Sequence, residues 1–251
     1  MEIVMNPEAY ARYLELQGDN PAYSPGNIAL AMAQNPEITQ FGTREKWKTL
    51  GRSVSDAEAQ KGVKIFSRGS FGKGYVLADA YDVTQTYGRE VKQVKLEKDT
   101  PEMETALTTL LNYAVVPVTV DDSLDTPALY DERAMELYVN PNYPDNEAFP
   151  AIAGEIAHSR FHAKGANTAY DRMESELDAQ SVSYILCRRF GVERELPDLS
   201  GLDAAYNGWT PQEVRRALDC VQDMSKRIGG SIERDITPQQ HTRGRVKHPA
   251  R

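Results

Sequence analysis

The clearest pattern along the chain is helical and lies in the second half of the sequence. Within residues 149–162, apolar side chains recur three and four positions apart and would form one face of a helix: Phe149, Ile152, Ala153, Ile156 and Ala157. A longer helix is predicted for residues 170–190, because Gly191 follows as a C-terminal stop. A third helix begins at the capping box TPQE, residues 210–213, and its apolar stripe ends at Gly229.

Short strands and one more helix are predicted ahead of these long helices. Residues 105–114 are helical in pattern, residues 115–120 form an apolar strand, and residues 136–139 form a second strand. Pro117 cannot donate a ladder hydrogen bond, so it favours a position at a sheet edge for the first of these strands.

The first hundred residues mix short helical and strand patterns. Helices are predicted for residues 27–34 and for residues 43–51, where a threonine can cap the first turn and a glycine can end the last. Strand patterns follow in residues 63–68 and 74–83, and the stretch RGSFGKG between them is typical of a hairpin loop. Residues 90–97 alternate apolar and polar positions, which predicts another, half-exposed strand.

The charged, proline-containing stretch EKDTPEME, residues 97–104, is the best candidate for a domain boundary. We therefore expect an α+β chain with a small α+β domain in residues 1–98 and a second α+β domain in residues 102–230. Residues 231–251 are polar and basic, which predicts a disordered tail.

The composition is that of a globular protein with a packed core. Apolar residues make up 40% of the 251 residues and charged residues 26%. No apolar run approaches the roughly 20 residues that span a bilayer, and the N-terminus shows no secretory pattern. The two cysteines, Cys187 and Cys220, are too few for a disulfide framework, and Cys187 fits a core position. We expect a cytoplasmic protein without a membrane partner.

Charge is distributed unevenly along the chain. The total is −8, yet residues 41–98 carry +5, residues 101–230 carry −11 and residues 231–251 carry +3. Because phosphates respond to the local patch that they meet, the basic segment permits a nucleic-acid partner despite the acidic total. The acidic segment favours a different class of function, a protein-interaction module that mimics the charge of DNA toward a nuclease.

Residues 151–162, AIAGEIAHSRFH, are one letter from the H-E-x-x-H motif of zinc peptidases. In that motif two histidines one helical turn apart hold the metal, and the glutamate polarises a bound water. Here Gly154 fills the first histidine position, whereas Glu155 and His158 keep the other two. Glycine offers no ligand and destabilises a helix by about 1 kcal/mol relative to alanine, which argues against zinc hydrolysis.

A second arrangement keeps a metal site open. His158 and His162 are themselves one helical turn apart, and the next predicted helix offers an acidic third ligand from this set: Glu174, Glu176 and Asp178. With Glu176, the two histidines would hold zinc and leave a position for water, with Glu155 as general base. Strands, an E-x-x-H helix and then an acidic helix follow the order of a zincin-like domain, which can also serve only as structure or as a contact surface.

Residues 41–98 interleave basic side chains with aromatic rings, the combination that binds single-stranded nucleic acid. Lys64, Phe66 and Arg68 share one face of their strand, which puts a stacking ring between two phosphate ligands. The predicted contact set is Arg44, Lys48, Arg52, Lys64, Phe66, Arg68, Phe71, Lys73 and Tyr75. Trp47 lies beside Leu50 on its helix and is predicted to belong to the core.

Two segments carry more specific motifs. Residues 27–88 contain an asparagine that begins an apolar helix (NIALAMAQ), an F-x-T…W…LG run, the strand GVKI and a closing DVTQT. Residues 148–193 contain AFPAIAGEIAHSRFHAKG followed by ESELDAQSVSYILCRRFGVE. These segments cover a little under half of the chain. They resemble the ArdC-type antirestriction proteins and the related LtrC-like proteins of plasmids and conjugative transposons.

The resemblance implies an N-terminal domain that binds single-stranded DNA and a metallopeptidase-like, zincin-type C-terminal domain. By position, His158 corresponds to the family's second metal histidine, Glu155 to its general base and Glu176 to the acidic ligand of the next helix. Gly154 departs from the family pattern at the first metal histidine.

We therefore predict a protein of a mobile element that binds single-stranded DNA through its N-terminal domain and carries a degenerate zincin-like C-terminal domain. Its role would be antirestriction or protection of DNA during conjugative transfer. Its partners would be single-stranded DNA and a nuclease or a protein of the conjugation machinery. An active zinc peptidase and an acidic protein-interaction module remain alternatives.

Overall fold

The computed structural model describes Val4 and residues 6–69, 74–163 and 170–237. These residues form an α+β fold, as the sequence predicts. Two residues of the predicted contact set, Phe71 and Lys73, lie outside the described residues, as does the predicted tail beyond Thr237. No helix within the described ranges is long and apolar enough to cross a membrane.

The first half of the chain combines short helices with two small sheets. Its elements in chain order are α1 (Pro7–Asp19), α2 (Pro25–Gln34), β1 (Phe41–Thr43), α3 (Arg44–Thr49), β2 (Arg52–Val54), β3 (Val63–Arg68), β4 (Tyr75–Asp82) and β5 (Thr86–Gly88). Strands β1, β4 and β3 form an antiparallel sheet in that order, and β2 pairs with β5. Helix α2 packs against β3.

Most of the elements predicted for this half are confirmed. Helices α2 and α3 and strands β3 and β4 lie where the patterns place them, and the Thr43 side chain caps α3 by accepting from the backbone N–H of Lys46. Helix α1 was not predicted. Its buried residues Tyr10, Tyr13, Leu14 and Gln17 do recur three and four positions apart, a signal that the sequence offered.

The strand predicted for residues 90–97 is wrong. This segment instead runs over the C-terminal end of a later helix, Arg172–Phe190, where it satisfies backbone carbonyls. Leu96, which is buried, donates its N–H to Phe190, and the Gln93 side chain donates to two carbonyls just before it. The alternating pattern therefore reflects contact with a helix end and not pairing in a sheet.

The second half carries the long helices and a third sheet. Its elements are α4 (Pro101–Leu111), β6 (Val118–Val120), β7 (Ala128–Asp131), β8 (Glu136–Val139), α5 (Asp145–Ala163), α6 (Arg172–Phe190), α7 (Leu202–Ala205) and α8 (Pro211–Ile236). The strand order is β6-β8-β7, with β6 parallel and β7 antiparallel to β8. Strand β6 lies at a sheet edge, as Pro117 predicts.

Two of the three cap and stop signals read from residues 191–229 are confirmed. Gly191 ends α6 in the left-handed conformation, and Thr210 and Glu213 form the predicted capping box of α8. Helix α8, however, does not stop at Gly229 but continues to Ile236, because Ile228 and Ile232 are both fully buried. Residues 231–236, expected in the tail, therefore belong to this helix.

One hydrophobic core connects the two halves of the chain. Helix α1 packs against α6, and the Tyr10 hydroxyl lies 3.0 Å from Oγ of Ser181. Helix α2 contacts α8, and the Gln222 side chain donates to the carbonyl of Pro21. Cys187 is buried in this core, as predicted. The division at residues 97–104 stays a prediction.

Candidate functional sites in the hairpin and the helix pair

The hairpin of β3 and β4 presents one face to solvent. We call its six residues the hairpin face, and they form three cross-strand rows: Lys64 with Asp79, Phe66 with Leu77, and Arg68 with Tyr75. Phe66 is 51% exposed, Tyr75 is 70% exposed and Leu77 is 62% exposed. Large apolar side chains that stand together in solvent mark a binding surface.

Part of the opposite face of the same hairpin belongs to the core. Val63, Ile65 and Ala80 are buried there, because successive side chains of a strand point to opposite sides. The hairpin is therefore anchored by one face, which leaves the hairpin face free for a ligand.

Helix α2 fixes the outer edge of β3 through two side-chain amides. Asn27 accepts from the N–H of Phe66 at 2.9 Å and donates to its carbonyl at 2.8 Å. Gln34, seven positions later, makes the same pair of bonds to Lys64, both at 2.8 Å. Because β3 is an edge strand, these amides take the place of a neighbouring strand and hold the backbone of Lys64 and Phe66.

The two basic side chains of the hairpin face have different surroundings. Lys64 forms an exposed ion pair with Asp79, with 2.6 Å between Nζ and Oδ1. Such a surface pair contributes at most about 1 kcal/mol, so Lys64 can exchange Asp79 for a phosphate. Arg68 is exposed at the other end of the face, opposite Tyr75.

Arg44 extends the positive charge along β4. Its guanidinium lies 4.8 Å from the centroid of the Tyr81 ring and donates to the Tyr81 hydroxyl at 3.2 Å. Tyr81 is two positions beyond Asp79 and therefore points to the same side of the strand. Arg44 therefore extends the hairpin face, although it is distant from β3 and β4 in the sequence.

The other predicted residues of this half have varied positions. Arg52 is half-buried and donates to Oγ1 of Thr86 and to the carbonyls of Thr86 and Arg89, so its guanidinium joins β2 to β5. Lys48 is exposed on α3. Trp47 is 1% exposed, which confirms its prediction as a core residue.

Helices α5 and α6 pack along each other and carry the E-x-x-H residues. Glu155 is buried, and one carboxylate oxygen, Oε2, accepts from the N–H of Tyr130 at 2.8 Å. Arg172 donates to both oxygens, at 2.6 Å to Oε1 and 3.1 Å to Oε2. The side chain in the general-base position is therefore held in a two-pronged ion pair.

His158 is fully buried between the two helices. Its Nε2 N–H donates to Oε2 of Glu176 at 3.1 Å, and its Nδ1 is joined to the hydroxyl of Tyr170 at 2.9 Å. The hydrogen bond from His158, supported by one from Gln180, lowers the pKa of Glu176 to about 2. Two of the three predicted metal ligands, His158 and Glu176, are thus in direct contact.

His162 lies in a separate contact. Its Nδ1 is 2.7 Å from the hydroxyl of Tyr130, and its ring stacks on Tyr170 with 4.6 Å between the centroids. Tyr170 therefore touches both histidines and, among the described residues, links His162 to His158.

The two other acidic residues considered on α6 have different surroundings. Glu174 is exposed in the first turn of the helix. Asp178 accepts from the Tyr206 hydroxyl at 2.7 Å, and desolvation raises its pKa to about 6. Of the three acidic residues, Glu176 is the one that contacts a histidine.

The side chains of the helix pair do not fit a metal ion as they stand. Gly154 contributes no ligand, and the carboxylate of Glu155 is already bound to the positively charged guanidinium of Arg172. The same charge helps to lower the pKa of Glu176. Within the described ranges, no group of three or more His, Cys, Asp or Glu side chains is arranged to hold a metal.

Three residues of this site were not identified from the sequence: Tyr130, Tyr170 and Arg172. Arg172 precedes Glu176 by one helical turn, and this spacing could have marked it as a charged partner within the site. Tyr130 is 25 positions from Glu155 in the chain, and no local pattern indicates that a strand residue will donate to that carboxylate.

No protein-family model matches the sequence, and no curated protein matches it either. The fold, by contrast, is similar to crystal structures of the antirestriction protein ArdC from plasmid R388. The Mn(II)-bound structure of that protein has a TM-score of 0.54 and 15% identity, over 95% of this chain and 97% of that chain. For its metal-free structure the TM-score is 0.55 and the identity 14%, over 93% and 94% of the two chains.

The similarity extends over nearly the whole of both chains, so this chain has the fold of ArdC. The ArdC-type resemblance drawn from the sequence motifs is confirmed at the level of the fold. At 15% identity, the roles of individual side chains rest on the contacts within this chain.

Proposed function

We propose that this chain, which has the ArdC fold, binds single-stranded DNA through the hairpin face and protects it as part of an antirestriction system of a mobile element. In this proposal the helix pair of α5 and α6 keeps a metallopeptidase-like structure but performs no hydrolysis.

One observation carries the DNA-binding proposal: Phe66 and Tyr75 are exposed on the same side of the hairpin, with Arg68 beside them. Because Tyr75 pairs with Arg68, it is a diagonal neighbour of Phe66, a spacing within reach of aromatic side chains. Two successive bases could stack on these rings while the basic residues meet their phosphates. Each stacked base is worth roughly 1–3 kcal/mol by alanine substitution.

The physical character of the hairpin face favours single strands over duplex DNA. The bases of a duplex are already stacked on each other, and their faces cannot reach a protein ring without being flipped out. Three of the six side chains of the face, Phe66, Leu77 and Tyr75, are aromatic or apolar and can pack against the faces of unpaired bases. It therefore suits sequence-independent binding to unpaired bases.

The helix pair supports the second part of the proposal. A general base must have a free lone pair directed at water or substrate. Three of the roughly four lone pairs of the Glu155 carboxylate instead accept hydrogen bonds, one from the backbone of Tyr130 and two from Arg172. The remaining lone pair lies on Oε1, 2.6 Å from the positively charged guanidinium. This carboxylate is therefore placed to hold the fold together.

The experiment that tests the DNA-binding proposal is fluorescence anisotropy with a labelled oligothymidine at low salt. We expect Phe66→Ala and Tyr75→Ala each to weaken binding by about 5- to 150-fold, the equivalent of one stacked base. Val76→Ala is the matched control, since Val76 is 51% exposed on the same strand but points to the opposite side.

An equal loss of affinity in all three variants would point to a general effect on the hairpin. No loss in any variant would mean that DNA binds at another surface or does not bind. A double-stranded competitor of the same length should displace the oligothymidine poorly. If it competes as well as single strands do, the stacking argument is wrong and the contact is with the phosphate backbone alone.

A further inference from the structure

Arg172 supplies a positive charge between α5 and α6. It is the first residue of α6 and grips Glu155 with two nitrogens, Nη2 at 2.6 Å from Oε1 and Nη1 at 3.1 Å from Oε2. The Glu155 side chain is only 11% exposed, whereas that of Arg172 is 33% exposed. A buried carboxylate needs a compensating positive charge, and this guanidinium supplies it.

The same ion pair closes the free edge of β7. The backbone N–H of Asn140 donates to the carbonyl of Pro127. From this pair onward, hydrogen-bonded and non-hydrogen-bonded residue pairs alternate along β7 and β8. Tyr130 therefore directs its backbone groups away from β8. Its N–H goes to Glu155 at 2.8 Å, and its carbonyl accepts from Arg172 at 3.4 Å. An extended peptide cannot pair with this edge residue while the ion pair is in place.

We propose that the guanidinium of Arg172 takes the electrostatic place of a metal ion between α5 and α6 and seals the neighbouring strand edge against a peptide. The inference is independent of DNA binding. It explains why a glycine can stand at position 154. Because Arg172 balances the negative charge of the acidic side chains, no metal ion is needed and no metal ligand is required at that position. The site is thus an ion-paired arrangement that replaces a metal centre, and not a metal centre that has lost one ligand.

The rest of the geometry indicates that two changes separate this site from a metal centre. The backbone at Gly154 tolerates a Cβ, because that atom would meet Nε2 of Gln180 at 3.8 Å and Cβ of Ser183 at 4.0 Å, both ordinary contacts. Nε2 of His158 and Oε2 of Glu176 are 3.1 Å apart, near the roughly 3.3 Å between two ligands of one zinc ion. Gly154→His adds the missing ligand, and Arg172→Ala removes the competing charge.

The test compares four proteins: the unchanged chain, Gly154→His, Arg172→Ala and the double variant. Each is stripped of metal and titrated with zinc alone against a chromophoric chelator. Two further proteins, the unchanged chain and the double variant each with His158→Ala, define which binding belongs to this site, and only binding lost on that change is counted. We expect the double variant to bind one zinc at least about 100-fold more tightly than the unchanged chain or either single variant.

Thermal unfolding provides a second measurement that does not depend on activity. Zinc should raise the midpoint temperature of the double variant and leave that of the unchanged chain where it is, because only a ligand that binds the folded state stabilises it. The circular-dichroism spectrum of each variant before heating shows whether it has folded. Arg172→Lys keeps the charge, and a histidine added at Gly154 in that background should give no gain in zinc affinity.

Two results would overturn the inference. The first is zinc binding by the unchanged chain, lost on His158→Ala and as tight as that of the double variant, since Arg172 would then not exclude a metal. The second is a folded double variant that binds zinc no better than Gly154→His alone, since the arginine would then not occupy the metal's place.

Discussion

The side-chain amide of Asn27 forms a closed pair of hydrogen bonds with the backbone of Phe66, at 2.9 Å and 2.8 Å. Asn27 is buried at the start of α2, whereas the ring of Phe66 stands in solvent on the other side of the strand. The backbone beneath one exposed ring of the proposed DNA-binding surface is thus held by a buried residue. This gives a physical reason for an asparagine at the start of that helix.

We predict that Asn27→Ala destabilises the fold by about 1–3 kcal/mol, because it leaves the N–H and carbonyl of Phe66 without partners. Urea unfolding measures the change. Gln34→Ala is the matched control: it removes the same pair of bonds from Lys64, but Gln34 is exposed and water can replace it. A loss as large for Gln34→Ala as for Asn27→Ala would show that burial is not what makes the Asn27 contact important.

We predict that Gly154→Ala stabilises the protein by roughly 0.5–1 kcal/mol, the difference in helix propensity between the two residues. The added Cβ meets only ordinary contacts with Gln180 and Ser183. Gly18→Ala is the counter-example, since its Cβ would lie 2.6 Å from Cγ of Arg188 and should destabilise α1. Chemical denaturation of both variants decides the signs, and a loss of stability in Gly154→Ala would contradict the prediction that the added Cβ fits without strain.

We predict that Arg172→Met destabilises the fold by about 3 kcal/mol, because it leaves the buried carboxylate of Glu155 without its counter-charge. The double variant Glu155→Gln with Arg172→Met should lose clearly less than the sum of the two single changes. Urea unfolding of the three variants completes the cycle. Strict additivity would mean that the two side chains do not interact energetically, whatever their distance.

The long helices could be predicted from the sequence because their signals are local. The apolar spacing in α5, the glycine that ends α6 and the capping box of α8 are all contained within a few residues of the elements that they define. The cap of α3 by Thr43 and the edge position of β6, indicated by Pro117, were likewise predictable from local sequence. Each of these features depends on the backbone of its own segment, and the rest of the fold does not override it.

The errors occurred where a segment is defined by a distant contact. The alternating residues 90–97 suggested a strand, but Leu96 is bonded to the last residue of α6, Phe190. The helix-pair site follows the same rule. The approach of His158 and Glu176 was predicted from the order of an E-x-x-H helix followed by an acidic helix, as in a zincin-like domain. The contacts of Glu155 with Tyr130 and Arg172 depend instead on how a strand and the start of a helix pack together.

A pH dependence is predicted from Lys46. Desolvation lowers its pKa to about 8, and its Nζ donates to the carbonyl of Phe41 at 2.8 Å. The unfolded chain binds this proton up to its ordinary value of 10.5, so between about pH 8 and 10.5 it holds more protons than the folded chain. Stability should therefore rise with pH across this window, by at most about 3 kcal/mol.

Lys46→Met removes the titrating group, and the difference in stability between the two proteins should change with pH only in that window. Thermal unfolding at pH 7, 8, 9 and 10 measures it. A constant difference would mean that Lys46 titrates normally and is available to a phosphate. The predicted result explains why Lys46, although basic and close to the hairpin, is not part of the proposed binding surface.

The last prediction concerns Asp79, the one acidic residue of the hairpin face. Its ion pair with Lys64 is exposed on both sides and contributes little to stability. Asp79→Asn should therefore leave unfolding almost unchanged but free Lys64 for a phosphate and remove a repulsive charge. We expect binding of oligothymidine to tighten several-fold and its salt dependence to steepen by about one phosphate contact.

Glu102→Gln is the matched control for this change, because it alters the net charge by the same amount at an exposed position on α4. If the two variants gain affinity equally, the effect comes from the overall charge of the protein and not from the hairpin face. If Asp79→Asn gains and Glu102→Gln does not, the gain is local. A loss of affinity in Asp79→Asn would mean that the carboxylate positions Lys64 for binding, since removing it would then release the lysine from its productive geometry.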